Sequence, residues 1–135
     1  MIPVIFVNCS DRAYVDSIMT GTKKYETRTK NTLKNLLSWS LGQRVLIAET
    51  GHGAPLVRCS AIIDSIIEVF SEDAWLPYIM DADIANGGKY DWKPDTKKKV
   101  LYHLTSVLPV KPFIPEGKRH GRVWMECNNH QSKEE

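Results

Sequence analysis

Long apolar runs are missing from this chain, and so is any pairing pattern among its cysteines. No stretch approaches the roughly 18 uninterrupted apolar residues that a membrane helix needs, so no spanning segment is expected. The three cysteines, Cys9, Cys59 and Cys127, are odd in number, and the nearest two lie 50 positions apart. With no CxxC pair, neither a disulfide framework nor a structural zinc site is expected, and a reducing compartment, the cytoplasm, is the simplest reading. The opening MIPVIFVNCSDR has no basic leader and no small-residue cleavage pattern, so a soluble, unexported protein is expected. GxxxxGK[ST] and GxGxxG are absent, which speaks against nucleoside triphosphates and dinucleotides. His52, His103 and His130 have no acidic or cysteine partner at metal-ligand spacing, so neither metal nor cofactor is expected. No glycine-flanked serine marks a nucleophile elbow.

What is present is ordinary for a folded chain: 135 residues, 42% hydrophobic, with 12 aromatics. That length suits one domain, placed at 1–127, with a polar tail at 128–135. Net charge is only +2, but its distribution is uneven. Residues 1–48 carry seven basic and three acidic groups, 49–88 one and seven, and 89–122 nine and three. A fold that brings the two basic segments together would create a patch that net charge conceals; otherwise these are scattered, solvated side chains.

Pro3 to Val7 reads as a buried strand rich in β-branched residues. Ser10 suits an N-cap, the apolar pairs Tyr14/Ile18 and Val15/Met19 share a helix face, and Gly21 suits a left-handed close, predicting a helix over 11–20. KKYETRTK, 23–30, reads as extended; strict alternation places Lys24, Glu26 and Arg28 on one face and Lys23, Tyr25 and Thr27 on the other, unless Lys23 still belongs to the turn after Gly21 and alternation starts later. Leu33 to Trp39 suggests a short helix or apolar turn. Strands are expected at 44–49, 56–69, 99–107 and 121–127, a Pro-interrupted helix at 72–84, and an extended Pro-rich connection at 109–115. The sum is an α+β domain of five or six strands and two or three short helices. Its sheet is expected to be largely antiparallel and curved, either open or closed into a small barrel.

The informative piece is GTKKYETR, residues 21–28. Arg28 offers a planar fork of donors for phosphate or carboxylate, and Lys23 a mobile point charge. Glu26 can accept from a base's exocyclic amine or orient the arginine. A solvated edge strand with a weak Glu26–Arg28 surface pair is the plainer reading. A second cluster, GKRHGR at 117–122, places Lys118, Arg119, His120 and Arg122 in a glycine-flanked turn suited to phosphates, or simply to solvent. Lys97, Lys98 and Lys99, near Tyr90 and Trp92, could neutralise a backbone beside a stacking ring, or form a solvated loop.

The order of elements, with GxKxxExR after the first helix and then LGQRVLIAE and a long return strand, resembles the ASCH domain family of the PUA-like group. The resemblance covers residues 2–70 well and continues less distinctly to about 126, with Gln43 where the family commonly has aspartate. It implies a PUA-like β-barrel whose cleft, lined by Lys23, Glu26 and Arg28, meets RNA or a modified nucleoside or nucleotide. One family branch hydrolyses the acetyl amide of N4-acetylcytidine with a lysine, a threonine and a glutamate. Carried over, the lysine falls on Lys23, and the threonine position holds Glu26, which cannot be a hydroxyl nucleophile. Thr27 has the hydroxyl but alternates to the opposite face, and the family glutamate has no clean counterpart beyond Asp81 or Asp83. Another branch is ribonuclease-like, and Lys23 or a nearby histidine could support such chemistry.

The leading expectation is therefore an RNA- or nucleoside-binding domain. The alternatives are a hydrolase using Lys23 and Glu26 in the same cleft, and a domain that binds a peptide or carboxylate.

Overall fold

The apolar run at the start of the chain becomes β1 (Ile2–Asn8) in the computed structural model, which describes residues 2–129. The tail beyond 129, including His130, lies outside the described residues. β1 is buried on both faces, which explains why it is continuously apolar and does not alternate. Ile5 and Val7 point into the main core with Val15, Ile18 and Leu36, while Val4 and Phe6 join Leu46, Met125 and Cys127 on the other side.

Six further strands complete one sheet: β2 (Tyr25–Arg28), β3 (Arg44–Thr50), β4 (Leu56–Val69), β5 (Lys99–Phe113), β6 (Gly117–His120) and β7 (Trp124–Cys127). Their order is β2-β5-β4-β3-β1-β7-β6, and β1/β3 is the one parallel pair among them. The α+β class and the largely antiparallel sheet are as expected. The barrel is not: among the described residues no ladder joins the outer strands β2 and β6. The sheet is nonetheless strongly rolled. Four strand spacings separate β2 from β1, about 19 Å in a flat sheet, yet Arg28 Nη2 on β2 donates to the Phe6 carbonyl on β1 at 2.7 Å.

Three helices pack on this frame: α1 (Tyr14–Thr20), α2 (Lys34–Ser40) and α3 (Glu72–Trp75), the last running into a 3-10 turn at Leu76–Tyr78. α1 starts three residues later than expected. Ser10 does not cap it; the Ser10 N–H is held by Asn8 Oδ1, and the first turn has no side-chain cap. Gly21 closes the helix as expected, at φ 85°. The predicted helix over 72–84 shrinks to α3 and its 3-10 turn because Pro77 lies in the first turn of the 3-10 segment, and its ring fits a continuing α-helix poorly.

β5 absorbs the predicted Pro-rich connection. Pro109 pairs with Cys59, but β2 flanks β5 only from Val100 to His103, so beyond that point β5 is an edge that tolerates missing N–H groups. The final strand expected over 121–127 is β7, starting at Trp124, while the basic turn expected before it contains strand β6, and the two pair as a hairpin turning at 121–123. Asn128 and Asn129 are tied back to the chain before β6. Asn128 N–H bonds Glu116 O, and the Asn129 amide bonds Glu116 N–H and Ile114 O.

Candidate functional site

Lys23 does not belong to a regular strand. It sits in the turn between Gly21 and β2, its N–H on the Ser17 carbonyl, so the side-to-side alternation begins only at Tyr25. That turn directs the Lys23 ammonium inward to the Ala82 carbonyl, 3.9 Å from Glu26 Oε1 and 4.9 Å above the Tyr14 ring. Lys23 is only 3% exposed, and burial pulls its pKa below the ordinary lysine value, a pull that the Glu26 and Asp83 charges partly offset. Lys24, by contrast, faces solvent and pairs with Asp81 at 3.7 Å.

Glu26 and Arg28 form a built pair and not a surface decoration. Glu26 Oε2 accepts from Arg28 Nε at 3.0 Å, and their side chains are 9% and 17% exposed. Since Arg28 Nη2 also holds the Phe6 carbonyl, only its Nη1 donors lack a protein partner among the described residues.

These three side chains line a hollow of about 630 Å³ at the mouth of the rolled sheet. Phe6 lines the hollow too, and Tyr14 and Tyr90 supply ring surface, meeting edge to face at 6.0 Å. Burial and the Asp11 charge push the Tyr14 phenol up to about 12, so it stays a neutral donor. Thr27, expected on the opposite face, lines the hollow too.

The β6–β7 hairpin brings two residues of the second basic cluster to the same place. Arg119 lies 5.4 Å over the Phe6 ring, and Arg122 lines the rim from the turn. Both are exposed, and neither has a carboxylate partner among the described residues. The other two members do not reach the hollow. Lys118 is exposed on β6 away from it, and His120 stacks on Trp124 at 3.8 Å while bonding Glu126 at 2.6 Å. The reason is the strand period: in a four-residue strand, neighbours point to opposite faces.

Of the two aspartates weighed as acidic partners, Asp83 is beside Lys23. It holds a left-handed φ of 58°, receives Arg12 Nη2 at 2.9 Å on Oδ1, and keeps Oδ2 buried without a partner. His52 bonds the Cys9 carbonyl and His103 bonds Asp64, so both have structural partners. Lys97, Lys98 and Lys99 line a different hollow, and Trp92 packs against the cluster around Trp75. No group of residues suited to hold a metal occurs among the described residues, and no helix is long and apolar enough to cross a membrane. Sequence reasoning missed Phe6, Tyr14 and Tyr90 as lining residues, because each also satisfies a core or loop pattern.

No family model and no curated protein sequence matches this chain. Solved structures do. ASCH from Zymomonas mobilis superposes with a TM-score of 0.63 at 20% identity, covering 81% of this chain and 71% of that one. Two point-substituted forms of the Zymomonas mobilis protein superpose at 0.64 with 20% identity, covering 82% of this chain and 72% or 74% of theirs. The chain therefore has an ASCH-like fold.

Proposed function

We propose that this protein binds RNA or a nucleoside-like ligand in the hollow lined by Lys23, Glu26 and Arg28, with Arg119 and Arg122 holding phosphate at its rim. One observation carries the reading. Four cationic side chains and one carboxylate, from segments about a hundred positions apart, surround a single concavity with aromatic walls. Unpaired arginines suit phosphate, ring faces suit a base, and a fixed carboxylate suits an exocyclic amine. Three free, buried cysteines fit a reducing compartment such as the cytoplasm.

The test is a titration of short single-stranded RNA over a salt series. Arg122→Ala is expected to weaken binding and to lower the slope of log K against log salt by about 0.7. An affinity that ignores salt, or an Arg122→Ala variant that binds like the parent, would sink the reading. Retention of an acidic peptide with none of RNA would favour the carboxylate-binding alternative.

A second reading, hydrolysis in the same hollow, is favoured by one feature. A lysine whose pKa is lowered by burial, flanked by Glu26 and Asp83, is equipped to take up or deliver a proton. Incubation with N4-acetylcytidine and with single-stranded RNA, beside Lys23→Ala, checks it. Turnover that the variant keeps, or none in the parent, removes this second reading.

A further inference from the structure

The three-lysine run and the loop before it build a second concavity, of about 620 Å³, which the cleft does not use. Lys30, Lys89, Lys93, Lys97 and Lys98 line it with two aspartates and the buried Lys99, and Phe70, 66% exposed, lies on its wall. Lys30, Lys89 and Lys97 are exposed and have no carboxylate partner among the described residues, whereas Lys98 pairs with Glu68 at 3.5 Å.

This groove is held in shape from beneath. Asp91 accepts from Trp75 Nε1 at 2.8 Å, from Gly87 N–H at 2.7 Å and from Trp92 N–H at 2.7 Å, while the buried Lys99 ammonium holds the Tyr90 carbonyl at 2.7 Å. The loop that displays Lys89 and Lys93 is thus anchored to the core at several points. Preorganised cations lose less freedom on binding than mobile ones.

The two concavities also share their boundary. Along the segment that leaves β2, Thr27 and Arg28 line the cleft while the next residues, Thr29 and Lys30, line the groove. On the loop, Tyr90 lines the cleft while its neighbours Lys89 and Asp91 line the groove. Consecutive Cα atoms are about 3.8 Å apart, so these two segments form the wall that separates the two hollows. A mononucleoside would fill only one of them.

We infer that the ligand is a single-stranded nucleic acid of several nucleotides: one base enters the cleft, and the strand continues over Lys30 and Lys89 into the lysine groove, where a base stacks on Phe70. This rests on the cleft being a nucleotide site and adds that its ligand is a polymer. An extended strand needs regularly placed cations for its phosphates and an exposed ring for its sequence-tolerant stacking, and this groove has both.

The experiment is fluorescence anisotropy with a labelled dinucleotide and with an oligonucleotide of about 12 nucleotides, inside the roughly 4–16 that small single-strand-binding folds cover. The parent is compared with the triple variant Lys30→Ala/Lys89→Ala/Lys97→Ala, with Phe70→Ala and with Arg122→Ala. All of these replace exposed residues, and circular dichroism confirms folding. The triple variant is expected to bind the longer strand at least about tenfold more weakly, with a salt slope smaller by about 2. Phe70→Ala weakens the longer strand alone, and the dinucleotide is unaffected by either. If the parent binds both lengths equally and only Arg122→Ala weakens them, the cleft reading stands and the strand inference is overturned. If the parent binds neither length, both fall. Tighter capture of an oligoglutamate than of an oligonucleotide of equal charge also overturns the inference.

Discussion

Lys23 shows how one residue's chemistry depends on where the chain puts it. On a solvated edge it would be an ordinary cation; buried over the Tyr14 ring it loses its hydration, and that desolvation disfavours the charged form even though the Ala82 carbonyl accepts from it. Because its folded pKa lies below the usual 10.5, the unfolded chain binds the proton more tightly. The stability linked to this group is complete above that value and is lost as pH falls through the folded pKa. In urea melts, the stability of the parent relative to Lys23→Met is expected to rise as pH climbs from neutral toward 10.5. A difference independent of pH would mean that the amine is solvated. Neither Cys9 nor Cys59 offers a competing nucleophile: burial raises the Cys9 pKa and raises that of Cys59 to about 11, so both stay protonated near neutral pH.

At the scale of elements, two glycines separate conformational freedom from space. Gly21 ends α1 at φ 85° with nothing within 4 Å of an added Cβ, so Gly21→Ala is expected to cost only the left-handed backbone penalty, about 1–2 kcal/mol. Gly117 opens β6 at φ 150°, where a Cβ would lie 1.9 Å from the Glu126 carbonyl oxygen on β7. No side-chain motion relieves a backbone clash. Gly117→Ala must therefore separate the strands of the hairpin that carries Arg119 and Arg122. Thermal melts should show the larger loss for Gly117→Ala, and RNA affinity should fall for it and not for Gly21→Ala. Equal effects of the two substitutions on binding would mean that the hairpin does not contribute to the site.

For the molecule as a whole, Arg28 is a clamp across the roll of the sheet. It links β2 to the Phe6 carbonyl of β1 while neutralising Glu26. Truncation leaves a carboxylate that is 9% exposed with only Lys23 nearby, so Arg28→Ala is expected to lower stability by about 2 kcal/mol in denaturant titrations, as lost hydrogen bonds to charged groups usually do. A binding loss in that variant would mix structure with recognition, whereas Arg122, exposed and unpaired, reports recognition alone. An Arg28→Ala variant as stable as the parent would show that the sheet holds its roll without this contact.

Local pattern made much of this legible. β-Branched runs marked β1, β3 and β4, a left-handed glycine marked the end of α1, and the charge distribution announced two basic segments, because each signal acts within a few residues of itself. The ASCH-like fold and the grouping of Lys23 with Glu26 and Arg28 came from a family resemblance, since strict alternation alone separates Lys23 from the other two. Tertiary structure decided the rest. It settled that the sheet rolls without closing, that Arg119 and Arg122 reach the cleft while Lys118 and His120 do not, and that Asp83, not Asp81, stands beside Lys23. Those outcomes depend on which residues distant in the chain meet when the sheet curls. No local periodicity encodes such a meeting, because it is set by packing across the whole core.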